Sequence, residues 1–183
     1  GKMFVFDPAS LDLVVNFPNV TEIIYYQNEA YPWSVNKFVK KTILNKAVIK
    51  VEIVHEDDLE YYDADDLRAL DAWCQYAGIH NDKKVFRVVL NVKHITKSKN
   101  PLLKFKKILI NLGHELIHIK QYLNGEMFDY VSGGVRYKGS YFDRDFQMSL
   151  EAYFDAPWEI EAYGRELGLY KMFKVLNGEY RLK

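Results

Sequence analysis

The stretch NLGHELIHIKQY, which runs from Asn111 to Tyr122, places two histidines four positions apart around a glutamate in an otherwise apolar run. On a helix, residues four apart stand one turn above each other on the same face, so His114 and His118 can direct both imidazoles at one point. Burying these groups and Glu115 without partners would cost several kcal/mol, and a bound metal ion offsets that cost. The spacing therefore predicts a helix that carries a zinc site, with Glu115 set slightly aside where it reaches a water on the metal.

The composition bounds the class of protein. A chain of 183 residues that is 49% hydrophobic and 15% aromatic can bury a sizeable core, and its length favours one domain. Its 25 basic residues balance 25 acidic ones, which gives no reason to expect a nucleic-acid or anionic-membrane partner.

Cys74 is the only cysteine, so no disulfide can form within the chain, and we interpret it as a small buried apolar residue. No apolar run is long enough to span a bilayer and no leader opens the chain, so we expect a soluble cytoplasmic protein.

The N-terminal half has the pattern of short strands followed by a helix. MFVF, LDLVVNF, TEIIYYQN and KAVIKVEIVHE are rich in Val, Ile, Phe and Tyr, and the first three are separated by Asp7-Pro8 and Pro18-Asn19, so we predict strands with turns. The acidic run EDDLEYYDADD is expected to form a solvated loop and a helix start. DDLRALDAWCQYAGIH, residues 65–80, has apolar residues at helical spacing and predicts a helix. KVFRVVLNVKHI, residues 84–95, predicts a further strand.

The C-terminal half predicts two helices joined by a hairpin. Pro101 opens a helical stretch that runs through the histidine motif to the stop signal Asn124-Gly125. FDYVSGGVRYKGSYF predicts a hairpin around Ser132-Gly133-Gly134, and Pro157 begins a last helix. We therefore expect an α+β fold in one domain with a mixed or antiparallel sheet. Its expected segments are an N-terminal sheet and helix over residues 1–100, an active-site helix over 101–124, a hairpin over 128–142 and a glutamate-bearing helix over 157–173.

A family resemblance extends this interpretation. HELIH resembles the signature of the zincin metallopeptidases, and the order of sheet strand, active-site helix, loop region and later glutamate helix resembles their gluzincin branch. In that branch the third zinc ligand is a glutamate on a later helix, often in a Glu-x-x-Ala context, which PWEIEA supplies as Glu159 to Ala162. The resemblance implies a zincin-like fold with zinc held by His114, His118 and Glu159. The chain also resembles small, single-domain metallopeptidases encoded by phages, which would place it in an infected bacterium.

Glu161 is the alternative third ligand. Two residues apart on a helix, Glu159 and Glu161 point about 200° apart, so both cannot face one zinc ion. The Glu-x-x-Ala register of the resembling families favours Glu159, and we expect Glu161 to be a solvent-facing partner of Arg165, its i+4 neighbour.

The sequence does not decide whether another histidine is a metal ligand. It also does not show which groups orient His114 and His118. No histidine follows His118, while His55, His80 and His94 precede the helix, and a third ligand from these stays an alternative, with His94 nearest. Related gluzincins often carry an Asp one turn after the glutamate ligand, where this chain has Tyr163. The group that orients the histidines is therefore unassigned.

The resemblance implies a zinc-dependent peptidase in which Glu115 is the general base toward a metal-activated water, and the substrate is a protein or peptide. Four residues near the motif are candidates to stabilise the oxyanion or to contact substrate: Tyr137, Tyr141, Tyr153 and Arg136. By the same resemblance, an extended peptide is expected to pair with the strand KVFRVVLNVKHI. The alternative is a zinc-binding interaction or inhibitor module with little hydrolytic activity.

Overall fold

The computed structural model describes residues 2–6, 12–16, 22–26, 39–54, 71–144 and 149–176. Its elements, in chain order, are β1 Lys2–Phe6, β2 Asp12–Asn16, β3 Glu22–Tyr26, α1 Lys41–Leu44, β4 Ala47–Val54, β5 Ala72–His80, β6 Lys83–Asn91, α2 Val92–Ile95, α3 Pro101–Leu123, β7 Met127–Asp129, β8 Val135–Tyr137, β9 Ser140–Phe142, α4 Leu150–Asp155 and α5 Pro157–Leu176. The chain is therefore α+β, and the strands predicted over MFVF, LDLVVNF, TEIIYYQN and KAVIKVEIVHE are confirmed. The turns Asp7-Pro8 and Pro18-Asn19 and the acidic run over 56–66 lie outside the described residues.

The main sheet is mixed and has four strands in the order β1-β4-β6-β5. β4 pairs antiparallel with β1 and parallel with β6, while β5 pairs antiparallel with β6. Ile49 and Val51 on β4 and Val88 and Leu90 on β6 lie on one face of the sheet and are fully buried, so this face forms the centre of the core. On β6 the opposite face is covered as well, where Val89 is fully buried.

The helix predicted over residues 65–80 is wrong from Ala72 onward, where the chain forms strand β5. Asn81 and Asp82 both adopt left-handed φ angles, +49° and +60°, and join β5 to β6 in a tight hairpin. Paired left-handed residues are the geometry of a two-residue hairpin turn, for which Asn and Asp are suited. A shift in register between Tyr76 and Ile79 interrupts the alternation of β5, with Gly78 at a φ of +92°. This irregularity hid the strand, because the remaining apolar spacing matched a helix. Residues 65–70 lie outside the described residues.

Helix α3 begins and ends where the sequence indicates. The Asn100 side chain caps it by accepting hydrogen bonds from the backbone N–H groups of Leu102 and Leu103, and Pro101 occupies the first turn. Gly125 follows its end with a φ of +68°, a conformation that suits glycine. α3 packs against β5 and β6 on one side and against α5 on the other. The histidine motif therefore lies in the middle of the core.

The predicted hairpin over residues 128–142 is confirmed and extends into a third strand. β7, β8 and β9 form an antiparallel meander, in which Met127 pairs with Tyr137 and Val135 pairs with Phe142. Met127, Val135 and Trp158 pack together in a small second core that connects the meander to the start of α5. Within the described ranges, no helix has the length and apolarity to cross a membrane.

Candidate metal centre

Three side chains from α3 and α5 converge on one point. The Nε2 atoms of His114 and His118 lie 3.1 Å apart, and Glu159 places Oε2 at 3.1 Å from His114 Nε2 and Oε1 at 3.4 Å from His118 Nε2. All three residues are buried, with 6–7% of their surface exposed. Ligand atoms around a tetrahedral zinc ion with bonds of about 2.0–2.1 Å lie about 3.3–3.4 Å apart. The spacing of the three side chains fits such an ion.

Close packing of the two helices makes this convergence possible. Ala162, one turn after Glu159, is fully buried in the core cluster shared by α3 and α5, as the Glu-x-x-Ala register predicts. Trp158, immediately before Glu159, is anchored in the second core beneath the meander. The phase of α5 is thus set by burial, which directs Glu159 toward the histidines.

The tautomer of His118 is set by Gln121, a fully buried residue one turn further along α3. The amide nitrogen of Gln121 donates to the backbone oxygen of Trp158 and to Glu161 Oε2, both at 3.0 Å. Its oxygen must therefore be the atom that faces His118 Nδ1 at 3.0 Å, and an amide oxygen can only accept. Nδ1 of His118 is the donor, which leaves Nε2 with its lone pair directed at the site.

His114 is oriented by Glu166, the partner that the sequence left unassigned. Its Nδ1 lies 2.9 Å from Glu166 Oε2, and a carboxylate accepts this proton. The ring of Tyr163, one turn after Glu159, packs edge-on against the His114 ring with centroids 4.5 Å apart. Glu166 stands seven positions after Glu159, on the same helix face, so a search at two-turn spacing would have found it.

The two imidazole nitrogens and the Glu159 carboxylate together favour binding of a cation. Two bare imidazole nitrogens and a carboxylate repel one another at these distances unless a proton or a metal ion lies among them. Burial raises the pKa of Glu159, but hydrogen bonds with His114 and His118 outweigh burial and lower the pKa from 4.5 to about 2. In the part of the chain that the structure describes, these three residues form the one group of His, Cys, Asp or Glu side chains with metal-binding spacing.

The pH dependence of metal binding follows from the same contacts. Burial lowers the pKa of His114, but its hydrogen bonds to Glu159 and Glu166 outweigh burial and raise the pKa from 6.5 to about 9. A raised pKa means that a proton competes with the metal until the pH exceeds that pKa. We expect apparent zinc affinity to rise at least about tenfold per pH unit between the ordinary and the raised value, and then to level off. Chelator-competition titrations across both values measure this, and a plateau that begins at the ordinary value would contradict it.

Glu161 does not join the metal centre, and the expectation of a solvent-facing residue is wrong. Its Oε1 accepts from Arg165 Nε at 3.2 Å, as expected, but its side chain is only 12% exposed. The carboxylate also accepts from Lys120 Nζ at 2.7 Å and from Tyr137 Oη at 2.8 Å, in addition to Gln121. Glu161 therefore acts on His118 through Gln121. It accepts a hydrogen bond from the amide nitrogen of Gln121, whose oxygen faces His118 Nδ1.

We expect Gln121→Met to lower zinc affinity by about 10–100-fold, the usual effect of losing a partner that orients a ligand. The substitution keeps the volume but frees the His118 ring to change tautomer. Gln75→Met, on the exposed part of β5, makes the same chemical change away from the site and serves as the control. Competition with a zinc chelator measures both variants, and equal affinities would contradict the role assigned to Gln121.

Glu115 and His118 face a cleft of about 390 Å³ between β5, α3 and the meander. Glu115 itself is 6% exposed, and burial raises the pKa of its carboxyl group. The thiol of Cys74 on β5 is hydrogen-bonded to Glu115, and burial raises the pKa of this thiol. Cys74 is therefore a protonated neighbour of Glu115 and lines the cleft, rather than being only a small core residue.

Of the four residues predicted to stabilise an oxyanion or contact substrate, only Tyr153 lines the cleft. Its hydroxyl is hydrogen-bonded with Glu159 and Tyr163, and burial raises its pKa, so it remains a donor. The hydroxyl of Tyr137 donates its hydrogen bond to Glu161 instead. Arg136 stacks over the Phe128 ring at 5.8 Å, and Tyr141 is largely exposed with its ring over Gly134.

The other histidines and the predicted substrate strand lie elsewhere. His80 is exposed at the end of β5, and His94 pairs with Asp71 at the surface, while His55 lies outside the described residues. The segment KVFRVVLNVKHI was predicted to be one strand, but strand β6 ends within it at Asn91. β6 lies between β4 and β5 in the sheet. Pairing of a substrate with β6 is therefore wrong, because both of its edges are already hydrogen-bonded to neighbouring strands.

No family model, no curated protein and no solved structure matches this chain. The case for its function therefore rests on the side chains of the centre and the cleft.

Proposed function

We propose that the chain is a zinc-dependent metallopeptidase of zincin-like, gluzincin-type fold, in which His114, His118 and Glu159 bind the metal. The observation that carries the proposal is the pair of fixed tautomers beside Glu159, since it directs both Nε2 atoms at one point, 3.1 Å from each other and each within 3.4 Å of an oxygen of Glu159. Three protein ligands with an adjacent open cleft are typical of a catalytic zinc site rather than a structural one, which is closed by four.

Zinc bound at such a site supplies a Lewis acid and lowers the pKa of a coordinated water. Glu115 accepts the proton of the attacking water and passes it to the leaving amine. Burial raises its pKa, which makes it a stronger base than an exposed glutamate. Tyr153 also lines the cleft, where its one hydroxyl proton is engaged by Glu159 and Tyr163, so it supports this ligand rather than stabilising the oxyanion.

The substrate peptide is held by β5 in this proposal. Among the described strands, β5 pairs with β6 alone and forms the edge of the main sheet, so its outer N–H and C=O groups can pair with an extended peptide. Ala72, Trp73 and Cys74, at its beginning, line the cleft beside Glu115. A peptide on this edge passes in front of the general base.

Metal analysis joined to a cleavage assay tests the proposal. We expect one zinc per chain after reconstitution, and cleavage of a denatured protein mixture that a chelator abolishes and added zinc restores. A protein that takes up no metal would refute the proposal. Metal uptake without any cleavage would favour the zinc-binding interaction or inhibitor module instead.

A further inference from the structure

The cleft beside the candidate metal centre carries an excess of negative charge. Three carboxylates line it, those of Glu115, Asp129 and Glu159, and no lysine or arginine does so among the residues that the structure describes. Glu159 faces the two histidines, whereas Asp129 is the carboxylate of the cleft that neither the metal nor the proposed proton transfer uses. A cleft lined by one sign of charge attracts ligands of the opposite sign.

Asp129 is held in place as a hydrogen-bond acceptor. It ends β7, where alternation puts it on the same face as the buried Met127, and Phe128 points the other way. The hydroxyl of Tyr122 on α3 donates to Asp129 Oδ2 at 2.5 Å. The carboxylate is thus fixed through Oδ2 at the wall of the cleft.

The remaining walls suit a long cationic side chain. Five aromatic residues line the cleft: Trp73, Tyr122, Tyr130, Tyr153 and Trp158. Aromatic faces attract ammonium and guanidinium groups and pack against the methylene stems that carry them. The two cations of the same meander are engaged elsewhere. Arg136 stacks over the Phe128 ring, and Lys138 lies over the Tyr137 ring and faces Glu161.

We propose that Asp129 selects peptides that carry a lysine or arginine side chain next to the cleaved bond. This inference rests on the proposed function, since it concerns the substrate of the same site. The basic side chain runs between the aromatic walls and ends in a charge-assisted hydrogen bond to Asp129 Oδ1. The residue determines specificity and takes no part in the bond cleavage.

Binding to zinc-loaded protein with Glu115→Gln, which keeps the peptide intact, tests the inference without requiring turnover. The probes are peptides blocked at both ends that differ at one position, scanned along the sequence, where lysine is replaced by the isosteric but neutral norleucine. We expect the lysine peptide to bind about tenfold more tightly at one position, and Asp129→Asn to abolish the difference. Asp155→Asn, on an exposed residue outside the cleft, removes the same charge and keeps the preference.

A second variant separates recognition from support of Tyr122. Tyr122→Phe removes the hydroxyl that holds Asp129 but leaves the carboxylate, so the lysine preference persists if Asp129 contacts the ligand. Equal binding of lysine and norleucine peptides, or a preference that Asp129→Asn leaves intact, overturns the inference. A parallel peptide series with free N-termini is measured as well, and a gain confined to that series would identify the recognised cation as the α-amine and overturn the side-chain assignment.

The inference and the proposed function fail in different ways. If the wild-type protein cleaves peptides without preference for basic residues, the role of Asp129 in specificity is refuted and the proposed peptidase function stands. A lysine preference in binding, together with metal uptake but no cleavage, defeats the peptidase and leaves Asp129 as a recognition residue. The absence of both metal uptake and peptide binding defeats both.

Discussion

Replacing Glu115 with glutamine is expected to reduce peptide cleavage by roughly a hundredfold or more while zinc stays bound. Glutamine keeps the shape of the side chain and can still accept from the Cys74 thiol, but it cannot take a proton from the attacking water. Burial raises the pKa of Glu115, so an uncharged replacement does not lower the thermal stability of the protein. Cleavage rate, zinc content and melting temperature, measured on one preparation, check the three expectations.

The control for this variant is Glu151→Gln, which makes the same change on an exposed residue of α4. It should leave both cleavage and zinc content at the wild-type level. A Glu115→Gln protein that cleaves at the wild-type rate would show that the general base lies elsewhere. A variant that loses its zinc would show that Glu115 supports the metal centre rather than the proton transfer.

The sequence was most informative where interactions are local. The boundaries of α3 follow from Asn100, Pro101 and Gly125, each acting within one turn. The convergence of His114 and His118 is a property of i, i+4 spacing on any helix. Helical phase likewise showed that Glu159 and Glu161 cannot both face one ion, because residues two apart face different directions, while the choice of Glu159 came from the Glu-x-x-Ala resemblance. These features need no knowledge of the rest of the chain.

Strand β5 could not be predicted, because its pattern is interrupted. The register shift between Tyr76 and Ile79 removes the strict alternation by which a strand is recognised. Asn81-Asp82 was the available signal, and it lacks the glycine that marks most two-residue hairpins. The central position of β6 depends on its parallel pairing with β4, which joins segments distant in sequence. Misplacing β5 therefore also misplaced the edge of the sheet.

The partners of the candidate metal ligands could not be predicted for a different reason. Gln121 lies inside the quoted motif, yet nothing in the sequence shows that its amide is sandwiched between His118 and Glu161. That arrangement depends on the crossing of α3 and α5. The burial of Glu161 further requires Tyr137 from the meander and Lys120 from α3. Networks that join several elements are set by tertiary packing and carry no periodic signal.

Exchanging the two glutamates of PWEIEA for alanine is expected to give unequal losses of zinc affinity. Glu159→Ala removes both oxygens that face the histidines, so the loss should exceed the roughly 10–100-fold that outer partners contribute. Glu161→Ala leaves all three ligands in place but removes one anchor of the Gln121 amide, so its loss should fall within or below that range.

Chelator competition at one pH measures both variants, and melting temperatures separate loss of affinity from loss of folding. Glu161→Ala strips the buried ammonium of Lys120 of one of its two carboxylate partners, Glu126 being the other, so this variant is expected to melt at a lower temperature than the wild-type protein in the absence of zinc. Glu159→Ala removes the carboxylate that pairs with the histidines in the metal-free protein, so it is also expected to lower this melting temperature. A ranking in which Glu161→Ala loses more zinc affinity than Glu159→Ala would assign the third ligand to Glu161 and require α5 to turn by about half a revolution.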